Sequence, residues 1–137
     1  MTGPADLPPA IACASLISGL YWDGKSLPKY TQIDSDYIPD TGSQTDARGD
    51  VVANSGRAQG LYKWIANELQ TSRMADKPAL AHEATHYLQS RNGQFPSPAR
   101  INGIENQAYD VERRAPYECM TLFGGWNENR LSRHLKD

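Results

Sequence analysis

Long apolar runs are missing from this chain: none approaches the ~20 residues that span a bilayer, so no membrane-crossing helix is expected. Cysteine is almost absent. Cys13 and Cys119 are the only two and neither belongs to a CxxC pair, which excludes a cysteine-built zinc site or a redox dithiol motif. They suit either two buried thiols or one disulfide joining the ends of the chain, and the place of Cys13 on an apolar stripe favours a small core residue. There is no excess of positive charge either, since 14 Lys and Arg against 16 Asp and Glu leave a net charge of −2. Without a basic footprint, neither nucleic acid nor an anionic membrane surface is an expected partner. The residues from Met1 to Asp6 lack the positive region and apolar stretch of a signal peptide. A soluble protein is expected, secreted or periplasmic if a targeting segment has been removed and cytoplasmic otherwise.

What is present is enough for one core. At 137 residues, 39% hydrophobic and 22% charged, the chain has the size and composition of a single domain over residues 1–137. Behind Pro8 and Pro9, the residues Cys13, Leu16, Ile17 and Leu20 fall at i, i+3, i+4 and i+7, predicting an amphipathic helix that ends near Tyr21 to Gly24. The stretch from Ser26 to Gly60 is rich in turn-forming residues, with short strands expected at Lys29 to Ile33 and Val51 to Ala53 and a turn at Arg48 to Asp50. From Gly60 to Gln70 the apolar spacing suits a helix or a hairpin equally.

The clearest helix follows. Asp76 is placed as its N-cap, Pro78 in its first turn, and Arg91, Asn92 and Gly93 as its stop. On it, Leu80, Ala81, Ala84 and Leu88 gather on one side and His82 and His86 lie opposite, predicting one buried face and one face open to a cleft. A helix starting at Ser97 and Pro98 is expected next, with Ile101, Ile104, Ala108, Val111 and Ala115 as its buried stripe. Pro116 either ends or restarts it, a short helix is expected from Tyr117 to Phe123, and an exposed one from Asn127 to Lys136.

The chemistry is concentrated in His82-Glu83-Ala84-Thr85-His86, the HExxH pattern of zinc-dependent hydrolases. Residues four apart stand one helical turn above each other, so His82 and His86 can share one metal ion. Glu83, roughly 100° round the helix, can overhang that ion as a general base. Two imidazoles and a water leave a tetrahedral ion one protein ligand short. The pattern that extends the motif with a glycine and a histidine is ruled out, because this chain has Gln89 and Asn92 at those positions. Glu105, beside the buried stripe of the next helix, is the best candidate for the third ligand. Glu112, two turns on along the same face, is the runner-up. Asp110 projects the other way, and His134 is read as an exposed histidine.

With Glu105-Asn106-Gln107-Ala108 following the motif, the residues resemble the compact gluzincin zinc metallopeptidases, whose third ligand opens a Glu-x-x-Ala helix. The likeness covers roughly residues 60–115. It implies an α+β, minimal zincin-like domain: an N-terminal helix, a small antiparallel or mixed sheet, an active-site helix and a third-ligand helix. It also implies one zinc ion held by His82, His86 and Glu105, Glu83 as catalytic base, and a peptide or protein substrate lying along an edge strand, which favours strands in the Gly60 to Gln70 stretch. Thermolysin-like groups often carry an Asp four residues after the third ligand to orient a histidine, where this chain has Tyr109. The oxyanion donor is open among Tyr109, Tyr117, Arg113 and His134. A reading from a different class keeps the metal and drops the turnover, giving a metal-stabilised binding or regulatory module, or an inactive relative.

Overall fold

The computed structural model describes residues 2–38 and 59–122. The expectations for Arg48 to Asp50, Val51 to Ala53, Asn127 to Lys136 and His134 lie outside the described residues. Within them the chain is α+β, with helices α1 (Leu7–Ser18), α2 (Lys77–Arg91) and α3 (Ile101–Glu118) and strands β1 (Lys29–Gln32), β2 (Gly60–Lys63) and β3 (Glu68–Thr71).

Helix α1 carries Leu7, Pro8 and Pro9 in its first turn, where a missing N–H costs nothing because those groups have no partner inside a helix. It stops at Ser18, earlier than the sequence suggested, because Gly19 adopts a left-handed conformation with φ of 78° and its N–H closes on the Ser15 carbonyl. The buried face is Leu7, Ala10, Ile11, Cys13 and Ala14. Leu16, assigned to that face from its spacing, is instead 63% exposed. Cys13 and Leu20 are in the core and Ile17 packs against it as expected, and the buried face extends toward the N-terminus through Leu7, Ala10, Ile11 and Ala14.

The three strands form one mixed sheet in the order β1-β3-β2, with β1 parallel and β2 antiparallel to β3. The ambiguous stretch is therefore a hairpin. Trp64 to Asn67 turn the chain, and Asn67 takes the left-handed conformation, φ 52°, that such a turn requires. The Asn67 side chain accepts a hydrogen bond of 2.6 Å from the Tyr62 hydroxyl, fixing the turn to the strand it follows.

Helix α2 begins as its residues predicted, with the Asp76 carboxylate accepting from Ala79 N at 2.9 Å and Pro78 in the first turn. It ends at Arg91, with Gly93 left-handed behind it. The helix does not offer an open face. Every residue from Leu80 to Gln89 is buried, since α1, α3 and the hairpin pack around it. Helix α3 starts at Ile101, a few residues later than Ser97, after a turn in which the Ile101 N–H bonds the Ser97 carbonyl. It runs through Pro116 to Glu118, so Tyr117 and Glu118 complete α3 and residues 119–122 form a turn in place of the separate helix expected there. A proline this close to a helix end forfeits one intrahelical bond, too little to break the last turn.

Cys13 and Cys119 are both buried and are bonded to each other, linking α1 to the end of α3 across a sequence separation of 106. Core burial and pairing, weighed as alternatives from the sequence, occur together.

Candidate metal centre

The site lies where α2 crosses α3. His82 and His86 stand one turn apart on α2, with ring centroids 5.0 Å apart, and Glu105 reaches across from the first turns of α3. One ligand atom from each of these three residues falls within 4.8 Å of the others. Glu105 Oε1 is 2.7 Å from His86 Nε2 and 4.0 Å from His82 Nε2. Nitrogen and oxygen ligands about 2.0–2.2 Å from a tetrahedral zinc stand roughly 3.2–3.6 Å apart, so the observed spacings bracket what one ion requires. His82, His86 and Glu105 are therefore close enough to hold a metal ion.

The opposite ring nitrogens are also held. His82 Nδ1 lies 2.8 Å from Glu112 Oε1, and His86 Nδ1 lies 2.8 Å from Gln89 Oε1. The Gln89 amide nitrogen donates to the Ile104 carbonyl at 3.0 Å and to Gln107 Oε1 at 2.9 Å, so its oxygen is the end that faces His86. A carboxylate and an amide oxygen can only accept, so each Nδ1 donates, and Nε2 is the nitrogen on the Glu105 side, available to a metal ion once it carries no proton. This separates the two glutamates that the sequence ranked first and second. Glu105 is on the Nε2 side with the metal-binding atoms. Glu112 lies on the far side of His82, against Nδ1, and is not one of the three clustered residues. Gln89 was not picked out from the sequence. Its signal was its place three residues after His86, within reach along the same helix face.

Glu83 lies beside the ligand set, its Oε2 4.0 Å from His82 Nε2, and it is almost wholly covered at 8% exposure. Strand β2 passes directly over it. A Cβ placed on Gly60 would stand 2.7 Å from Glu83 Cγ and 3.2 Å from Glu83 Oε2, so only glycine lets the strand lie this close. Trp64, in the hairpin turn, covers His86 with ring centroids 5.4 Å apart, and Phe95 backs Trp64 at 6.4 Å. On α3, the Tyr109 ring meets the His82 ring edge-on at 4.6 Å.

Burial and charge set the protonation of the cluster. Burial pushes the Glu83 carboxyl up, against the pull of His82 and His86. Burial also pulls His82 down, yet the carboxylates of Glu83, Glu112 and Glu105 prevail and raise it to about 9. Glu105 is raised by burial but held below the usual carboxylate range by its bond to His86 and the charges of both histidines. Burial and the three glutamates raise the Tyr109 phenol, keeping it protonated. Of the other residues considered, Asp110 pairs with Arg113 and Arg114, away from the cluster.

No family model, curated protein or solved structure matches this chain.

Proposed function

We propose that the protein is a zinc-dependent hydrolase of the gluzincin type that cleaves peptide bonds, with His82, His86 and Glu105 holding the ion and Glu83 acting as general base. The observation that carries this reading is the division of labour among the side chains. Three ligand atoms converge within 4.8 Å, while a fourth group, Glu83, sits 4.0 Å from His82 Nε2 and outside the set. A structural zinc site closes its coordination with four protein ligands, whereas a catalytic one keeps a position open beside a base.

Zinc bound there supplies Lewis acidity, lowering the pKa of a water from 15.7 toward about 7 and polarising a substrate carbonyl. The protein's own groups do the rest. Glu83 accepts the proton of the attacking water and passes it to the leaving amine. Its burial raises its affinity for that proton, which suits a group that must hold it and then release it. Glu112 and Gln89 keep both imidazoles in the tautomer that presents Nε2. Strand β2, an edge strand among the described residues, is the place for an extended peptide to pair. The Cys13–Cys119 disulfide suits an oxidising compartment, which favours a secreted or periplasmic protein over a cytoplasmic one.

The near burial of both histidines, 7% and 6% exposed, favours a second reading in which the ion only ties α2 to α3 and the protein is a binding module. Glu83→Gln separates the two. Wild-type protein should contain one zinc per chain and cleave a generic peptide, and the variant should keep the zinc and lose the cleavage. Loss of zinc from Glu83→Gln would overturn the role of Glu83, and zinc-loaded wild type without cleavage would favour the binding module.

A further inference from the structure

We propose that Tyr109 is a catalytic residue of this centre, its hydroxyl donating the hydrogen bond that stabilises the oxyanion formed when a peptide carbonyl is attacked. The inference rests on the peptidase reading above and deepens it.

Three side chains of α3, at i, i+4 and i+7, are directed at one imidazole. Glu105 stands 4.0 Å from His82 Nε2 and Glu112 stands 2.8 Å from His82 Nδ1. Between them the Tyr109 ring packs edge-on against the His82 ring, centroids 4.6 Å apart and planes at 73°. Helical spacing thus sets the tyrosine against the His82 ring, one turn from the third ligand on the same face of α3. Its exposure differs from that of its neighbours. Tyr109 is 57% exposed, whereas His82 and Glu83 are 7% and 8% exposed, so the tyrosine is the part of the cluster that an arriving substrate meets.

Its hydroxyl is also uncommitted among the described residues. The Tyr30 hydroxyl is paired with Thr71 Oγ1 and the Tyr62 hydroxyl with Asn67 Oδ1, while no hydrogen bond of this kind engages Tyr109. The other donors on α3 are placed less well. The Arg113 side chain is 75% exposed and paired with Asp110, and Tyr117 stands two turns further on, roughly 12 Å along the helix axis. Tyr109 gives up no proton in this role, because Glu83 carries the proton from water to amine. The phenol contributes a directed O–H dipole where negative charge develops, and such a donor acts on the transition state more than on the bound substrate.

Tyr109→Phe keeps the ring against His82 and removes only the donor. The expected result is unchanged zinc content and Tm, KM within about twofold of wild type, and kcat lowered about 10²–10³-fold. Calorimetry with a phosphinic peptide, whose tetrahedral anion imitates the attacked carbonyl, should show affinity falling in step with kcat/KM. Affinity for the product peptide should stay constant. Wild-type kcat in Tyr109→Phe, or a reduced kcat with undiminished phosphinate affinity, would overturn the assignment and leave Tyr109 a packing residue. Zinc-loaded wild type that neither cleaves peptide nor binds the phosphinate would overturn the peptidase reading, and this inference with it.

Discussion

At the scale of single residues, the groups around the ligands decide as much as the ligands do. Glu112→Ala removes the acceptor from His82 Nδ1 and should weaken zinc binding about 10–100-fold in a chelator competition, with Glu112→Gln restoring part of it. If Glu112→Ala instead abolished zinc binding and Glu105→Ala left it intact, the two glutamates would have to exchange roles. Gly60→Ala places a methyl group within 2.7 Å of Glu83 Cγ, so the carboxylate must move. Zinc content should be unchanged and kcat reduced tenfold or more, read by metal analysis and peptide cleavage side by side. The protonation of His82 gives a pH dependence with a definite sign. Its pKa in the metal-free fold, about 9, is above the unfolded value of about 6.5, so its contribution to metal-free stability is complete below pH 6.5 and is lost as pH rises through 9. Zinc must displace the same proton. Apparent zinc affinity should therefore rise up to tenfold per pH unit toward 9 while the Tm of the chelator-treated protein falls, and parallel changes in the two measurements would contradict the linkage.

At the scale of elements, what could be read from the sequence was whatever local chemistry decides. The Asp76 cap, Pro78 and the left-handed Gly93 bound α2 from within the helix itself, and the spacing of His82 and His86 needs only helical pitch. Glu105 and Glu112 share one face of α3, so their roles depend on how α2 and α3 cross, which no local signal carries. Helix α1 teaches the same lesson. An apolar stripe can be drawn through Leu16 or through Leu7, Ala10, Ile11 and Ala14, and only the partners of the helix select the second. Ile11→Ala should cost about 2–5 kcal/mol in denaturant unfolding. Leu16→Ala should stay within about 0.5 kcal/mol, as for an exposed site. Equal losses would place the buried face wrongly. The hairpin of β2 and β3 was undecidable from periodicity, because a four-residue strand is shorter than the window over which periods 2 and 3.6 separate.

For the whole molecule, the principal constraint is the bond between Cys13 and Cys119, which joins the two helices that flank α2. Replacing both cysteines by serine should lower stability by about 2–5 kcal/mol, the range for a native disulfide whose loop spans most of a small domain. Because His82, His86 and Glu105 all stand on α2 and α3, the serine variant should still bind zinc at temperatures where it remains folded. The same bond makes the chain between its two sulfurs a closed ring that contains every residue assigned to the metal, the base and the oxyanion. A single cut anywhere inside that ring opens it without releasing a fragment. A protein that shares its surroundings with proteases, or is one, can thus be nicked and still travel as one covalent molecule, a single band on a gel until a reductant is added.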